Sequence, residues 1–576
     1  MKDVFDFTRR EVLQASAALA VLPSIEAAGG ATTAAKYILT RLSQHGVDHL
    51  FGVPGATCDP LFAAATGKPA AVVCSSDLEA GYAADGYARV RGLGAVSVTY
   101  GVGMMGLMSV ISGAYAERVP VVVINGGPSA EDLRVMRETG SFFSHSNGRE
   151  DSDLKMFREI TEAAVRVESA GDVPKVVDEL IRTALIKKRP VYLEVPKHLW
   201  DAACPAPSGA IDVSVAASGE EEKLAVAIAE RLSKAKQPVV LLGVEVARLG
   251  LSARAAALVE KLALPWSTTL LGKSVVAETT AGFAGVYSGE HALPAVKTAV
   301  EEADVVLALG CVWGRQYRHL VTKAKGGLLS VSNGQAKLGK AAPVACSLPA
   351  LLDALGRIAA GKAGAATSGL AFEKRRAMLG APPIASVGPE DGLTYDEVMR
   401  AVSDSLDDKT IAVTDTSLSM YPAAELEVHG ANAFICNSVW QAIGYSVGAA
   451  VGVAMAQDKR VVAICGDGGF QMTAQSLSTM AKRKLPVTVV VLDNSEYGIE
   501  QWLLEPKYFA DPNAQPRPYL SLNRWDYAAL AKALGFTSAV TVKTAADLAK
   551  ALTNKGQTFI CATVKPHDLP SQLRKA

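Results

Sequence analysis

Aromatic side chains are scarce, at 6% of the residues, and the charged ones, at 20%, carry no net sign because 58 Lys plus Arg meet 58 Asp plus Glu. That balance leaves no field to draw nucleic acid or an anionic membrane, so the expected partners are small molecules or further copies of the chain. No apolar run approaches the length of a membrane span. The eight cysteines form no CxxC pair and no Cys/His cluster, which excludes a thiolate zinc site and leaves them as small core residues. What the 576 residues have in abundance is Ala, Val, Leu and Gly. This is the composition of alternating helices and buried parallel strands, here in about three α/β domains.

Residues 1–30 stand apart. Thr8-Arg9-Arg10-Glu11-Val12-Leu13, a weakly apolar stretch from Ala15 to Ile25 and small residues from Ala27 to Gly30 resemble a twin-arginine export signal, which implies a periplasmic destination. The same segment, with Asp3 and Asp6 diluting its positive charge, also reads as a short helix opening a cytoplasmic chain. Regular helix and strand patterns begin at Thr33 and run to the strand-like Val191-Tyr-Leu-Glu-Val195, defining a first domain over 31–210. A second domain covers 211–380. It closes in a low-complexity stretch, Ala359-Ala-Gly-Lys-Ala-Gly, and a Pro-rich one at Ala381-Pro-Pro-Ile; the third runs over 381–576.

The first and third domains echo one another. Val96-Ser-Val-Thr-Tyr-Gly-Val-Gly, a helical stretch and Val119-Pro-Val-Val-Val-Ile-Asn match Val461-Val-Ala-Ile-Cys-Gly-Asp-Gly, a helical stretch and Leu485-Pro-Val-Thr-Val-Val-Val-Leu-Asp-Asn. The expected architecture is α/β with three doubly wound parallel-sheet domains, two related ones flanking a Rossmann-like middle one. Val102 stands in the first copy where Asp467 stands in the third, so only the third can hold a metal.

Gly101-Val-Gly-Met-Met-Gly106 satisfies the dinucleotide fingerprint, but the next strand ends in Asn125-Gly-Gly rather than in the acidic residue that a ribose requires. It is read as a turn that needs close backbone approach. Gly466-Asp467-Gly468-Gly469 follows an apolar strand and precedes a helix expected to begin near Gln471, offering backbone amides to a phosphate. Asp467, and Asn494 at the end of the adjoining strand, supply the hard oxygens that Mg²⁺ prefers.

These residues, with the loop Asn494-Ser-Glu-Tyr-Gly-Ile-Glu500, Gly81-Tyr-Ala-Ala-Asp-Gly-Tyr-Ala-Arg89 and Trp440-Gln-Ala-Ile-Gly-Tyr-Ser-Val447, resemble the thiamine diphosphate-dependent 2-oxo-acid decarboxylases of the pyruvate and indolepyruvate decarboxylase kind, within the acetolactate synthase superfamily, over about residues 33 to 565. The resemblance implies thiamine diphosphate and Mg²⁺ as cofactors. It implies Asp467, Asn494 and the Glu496 carbonyl as metal ligands and Gly468 and Gly469 at the diphosphate. Asp415, Thr416, Gln441 and Ile443 complete the cofactor site, Ile443 as the apolar wedge that bends the cofactor. It also implies a site shared between subunits, hence a dimer or tetramer, and a middle domain without FAD.

Counting back from Tyr82, the family's activating Glu falls on Asp77; Glu79, two residues on, would sit roughly 200° round a helix and miss the pyrimidine. Glu500 matches the decarboxylases' second carboxylate, placed to protonate the product carbon. Ala56 replaces a family Asp, with Asp59 three residues late, and Ser144-His145 replaces a histidine pair, leaving His145 as the active-site candidate. The leading expectation is non-oxidative decarboxylation of a small 2-oxo acid to an aldehyde. A carboligase, and a catalytically impaired cofactor-binding protein, are the alternatives that Ala56, Ser144 and Asp77 keep open.

Overall fold

The computed structural model describes residues 30–324, 327–358 and 392–574. The export-like segment, the low-complexity and Pro-rich stretches and the expected boundary between 380 and 381 lie outside the described residues.

Runs such as Val121-Val-Val-Ile and Val487-Thr-Val-Val-Val-Leu are apolar on both faces, and they become strands buried on both faces of parallel sheets. The first domain has six parallel strands: His49–Gly52, Ala70–Val73, Gly94–Val98, Val121–Gly127, Ala163–Arg166 and Val191–Pro196. Their spatial order is second, first, third, fourth, sixth, fifth. The third domain, with Thr410–Thr414, Phe434–Cys436, Arg460–Gly466, Val487–Asp493, Ser538–Val542 and Thr558–Thr563, repeats that order strand for strand. The echo in sequence is thus an echo in topology.

The middle sheet runs Phe283–Tyr287, Trp266–Thr269, Pro238–Leu242, Val305–Leu309 and Leu328–Ser332 in parallel, the Rossmann order. Gly334–Leu338 and Val344–Cys346 are added antiparallel at one edge.

The two related domains meet through equivalent helices, Asp77–Arg91 and Tyr445–Ala456, one preceding the third strand of each sheet. They pack backbone to backbone. A methyl built on Gly86 would lie 2.3 Å from the Ala449 carbonyl oxygen, and one on Gly452 only 1.7 Å from that of Ala83. All eight cysteines are unpaired and buried among these layers.

Candidate functional site

In a doubly wound sheet the crevice lies at the carboxyl ends of the strands, where the order reverses between the first and third. In the third domain that point brings together Asp415-Thr416, the Gly466–Gly469 turn and Asn494. The helix here is Asp467–Thr473, four residues earlier than its expected start near Gln471. First-turn amides have no backbone partner within a helix, so glycines cost little there and put no side chain over the N–H groups, while an Asp in the first turn suits the helix dipole.

Asp467 is buried, its Oδ1 accepting from the Gly468 amide at 2.9 Å and its Oδ2 from the Ser495 amide at 2.7 Å. The Asn494 carboxamide oxygen lies 2.9 Å from the Glu496 main-chain carbonyl oxygen and 3.3 Å from Asp467 Oδ1; its nitrogen is 3.2 Å from the Tyr395 hydroxyl. Three oxygens this close with no proton between them repel one another, unless the amide turns over or a cation sits among them. Adjacent ligands of an octahedral ion bound at 2.0–2.1 Å stand about 2.9 Å apart, which is the separation between the Asn494 carboxamide and the Glu496 carbonyl. Burial first, and then the neighbouring Asp493 charge, push the Asp467 carboxyl well above the ordinary range, a stress that a cation would reverse.

Asp415 is buried beneath the same crevice and accepts from the Thr416 amide (2.7 Å), the Gly444 amide (3.0 Å) and the Ser446 hydroxyl (3.3 Å). Burial outweighs these donors and pushes its carboxyl up to about 7. Thr416 donates to the Asn437 carbonyl at 3.2 Å. The lip carrying exposed Gln441 and half-buried Ile443 is held by Asn437, which accepts from the Gln441 and Ala442 amides.

A second set of residues secures that lip, and sequence reasoning did not single them out. Glu117 of the first domain, wholly buried, accepts from the Val439 amide (2.8 Å) and the Trp440 amide (3.0 Å). Arg89 bonds Glu117 at 2.8 Å, Asp85 at 2.6 Å and the Cys436 carbonyl at 2.9 Å. The one available signal was the four-residue spacing of Asp85 and Arg89 on a helix, which pairs their side chains.

In the first domain, Asp77 opens its helix with Ser76 as N-cap. It is half-buried, and burial raises its carboxyl above the usual range. Its side chain lies against Gly103 and Gly106, whose would-be methyls come within 3.3 Å and 3.1 Å of it. Glu79 sits in different surroundings, wholly buried and accepting from the Ser75 amide at 2.8 Å near Thr479 of the third domain. His145 is exposed, with φ +66°. Ala56, Asp59, Ser144 and Glu500 are exposed too, Glu500 in the Gly498–Leu504 helix one turn beyond Glu496. Among the described residues no hydrogen bond or ion pair joins Asp77 or His145 to Asp467, Asn494 or Glu496.

The Gly101–Gly106 turn serves close approach. At Gly101 (φ +68°) a methyl would lie 2.4 Å from the His145 carbonyl oxygen. The middle domain's Gly272-Lys-Ser is likewise structural, its buried Lys273 paired with Glu278 at 2.6 Å and its Ser274 hydroxyl accepting from the Phe434 amide at 3.0 Å.

Residues 32–149, 226–355 and 416–560 match the families described as thiamine pyrophosphate enzyme N-terminal TPP-binding, central and C-terminal TPP-binding domains. An alpha-keto-acid decarboxylase of Mycobacterium avium is 30% identical over 548 residues, 91% of each chain. A probable pyruvate decarboxylase of Schizosaccharomyces pombe is 28% identical over 559 residues, covering 94% of this chain and 95% of that one. A pyruvate decarboxylase of Neurospora crassa is 29% identical over 565 residues with the same coverage.

Proposed function

From the premise that the chain belongs to the thiamine diphosphate-dependent 2-oxo-acid decarboxylases, we propose that it is a Mg²⁺-dependent enzyme that removes CO₂ from a small 2-oxo acid without oxidation and releases the aldehyde. The observation that carries the metal half is the convergence of the Asn494 carboxamide, the Glu496 main-chain carbonyl 2.9 Å from it and Asp467 Oδ1 3.3 Å from it. These three oxygens would hold Mg²⁺, and the first-turn amides of Gly468 and Gly469 would meet the diphosphate. Asp415, Thr416, Gln441 and Ile443 would seat the rest of the cofactor. When bound, thiamine diphosphate supplies the electron sink for the pair left behind as the bond to CO₂ breaks.

The chain's own residues handle protons. Asp77, with a carboxyl that burial keeps more basic than usual, is the group proposed to protonate the pyrimidine. Glu500, at the rim of the metal-bearing loop, is proposed to deliver a proton to the product carbon, with His145 as a further polar group on the first-domain side. The site is proposed to lie between two chains. Asp77 and Asp467 belong to separate clusters within one chain, and the exposed apolar residues Val102, Met105 and Met472 flank the two turns.

Exposed Ala56 and Ser144 leave the first-domain rim without two acid–base groups, and this favours a second reading, carboligation. Incubation of the Mg²⁺- and cofactor-loaded protein with a panel of 2-oxo acids, with and without acceptor aldehydes, tests both. Release of CO₂ and free aldehyde is expected, with Glu500→Gln cutting aldehyde release about 10²-fold. Acyloin or acetohydroxy acid in place of free aldehyde would replace the first reading by the second, and no turnover of any 2-oxo acid would overturn both.

A further inference from the structure

We propose that Asp153 is a positioning residue: its buried carboxylate fixes the Gly101 amide, and through it the turn on which both Asp77 and the His145 backbone rest. This inference builds on the decarboxylase reading above.

Gly101 ends the approach to the Val102–Ala116 helix with φ +68° and ψ −92°, a conformation reserved for glycine. In that pose its buried N–H has no backbone acceptor, and Asp153 Oδ2 takes it at 2.8 Å. The same oxygen accepts from Asn125 Nδ2 at 3.1 Å, and Asp153 itself is wholly inaccessible. Behind it runs a chain of buried polar groups. Asn125 donates to the Tyr192 hydroxyl at 2.6 Å, Tyr192 donates to Glu194 at 2.7 Å, and Glu194 pairs with Arg166 at 2.7 Å. Arg166 reaches Asp151 at 2.9 Å. Asn125, Glu194 and Arg166 sit on three adjacent strands, so the rigidity of the sheet is delivered to one amide.

In front of that amide there is no slack. A methyl on Gly101 would lie 2.4 Å from the His145 carbonyl oxygen, and Asp77 packs against the first turns of the helix that follows, its side chain 3.3 Å from a methyl built on Gly103 and 3.1 Å from one built on Gly106. Without Asp153 a buried donor is left unsatisfied, and the turn must shift to find another acceptor. Such a shift moves the seat of Asp77, and misplacement of about 1 Å can cost on the order of 10²-fold in rate.

The test compares Asp153→Ala with Asp153→Asn in the full-length protein. Asparagine keeps an acceptor facing Gly101 and Asn125; alanine does not. In the cofactor-free chain, Asp153→Ala should speed amide hydrogen exchange across residues 99–107, and Asp153→Asn should leave it near wild type. In the loaded enzyme, Asp153→Ala should slow deuterium exchange at the thiazolium carbon and lower kcat by about 10-fold or more, with KM for the 2-oxo acid within about 3-fold. Asp153→Asn should restore most of both. If Asp153→Ala fails to fold, Asn125→Ala, which removes one of the two bonds steadying Asp153, should shift the same readouts in the same direction by a smaller factor. A folded Asp153→Ala with wild-type exchange and kcat overturns the proposal, as does an Asp153→Asn as impaired as Asp153→Ala. Should the wild type turn over no 2-oxo acid, the decarboxylase reading fails, while the two exchange measurements still decide the role of Asp153.

Discussion

Gly452→Ala puts the helix crossing at the centre of the molecule to a quantitative test. The new methyl would lie 1.7 Å from the Ala83 carbonyl oxygen, whereas Cβ atoms essentially never approach closer than 3.0 Å, so the Asp77–Arg91 and Tyr445–Ala456 helices must part by about 1.3 Å. The obstacle is backbone and cannot rotate away, and the reciprocal contact of Gly86 with Ala449 opens at the same time. Overpacking a well-filled core costs roughly 1–3 kcal/mol, and this geometry belongs at the upper end. At about 2.1 cal/mol/K of unfolding entropy per residue, the roughly 370 residues of the paired domains shift by about 1.3 °C per kcal/mol, so the transition that melts them should fall by about 4 °C. Scanning calorimetry of the cofactor-free chain reads this directly. Gly356→Ala is the control, because nothing lies within 4 Å of the added methyl in the Leu348–Ile358 helix. It should be neutral or stabilising by up to about 1 kcal/mol. A Gly452→Ala protein melting within about 1 °C of wild type would refute the packing argument.

Two further outcomes follow from the third-domain crevice. Asn494→Ala removes one of the three converging oxygens. Wild type should gain about 2.7 kcal/mol of apparent stability at Mg²⁺ and cofactor concentrations near 100 times Kd, and the variant should lose most of that gain without losing cofactor-free stability; an equal ligand-induced rise in both would remove Asn494 from the metal site. Asp415 has a folded-state carboxyl raised to about 7 from an ordinary 3.8. The protonated form is favoured in the fold, so this group's contribution is complete below pH about 4 and is lost as pH rises through about 7. The cofactor-free wild type should therefore lose a few kcal/mol across that window, and Asp415→Asn should flatten the loss. A slope unchanged by the substitution would assign the pH dependence to other groups.

The repeat was legible because it is written in local patterns: a two-faced apolar strand, a glycine turn, a helix, and a proline before the next strand. The same signals located Gly466–Gly469 and Asn494, since strand ends and turns are marked by residue type. The helix start at Asp467 was misplaced because glycines read as breakers, although in a first turn they are harmless. Glu117, which holds the Val439 amide across a sequence separation of 322, carries no periodic or compositional mark. The same holds for Asp153, whose importance rests on which amide it happens to face. Such residues are defined by tertiary contact alone. Conversely, Gly101–Gly106 carried a familiar signature for reasons of space, with the His145 carbonyl excluding a side chain at Gly101 and Val98 and Asp77 packed closely against Gly103 and Gly106.

The eight unpaired thiols have a consequence of their own. Three fall in the first domain, two in the middle one and three in the third, all buried, and burial pushes the thiols upward, as at Cys74 and Cys465. A closed molecule offers an alkylating or oxidising reagent no thiolate, so the folded chain is chemically indifferent to whether its compartment is reducing or oxidising. Reagent reaches each sulfur only when the core that buries it opens. Labelling rates at Cys74 and Cys465, which share one core across the first and third domains, should move together, while Cys311 in a separate core of the middle domain reports on its own opening, all without an added probe.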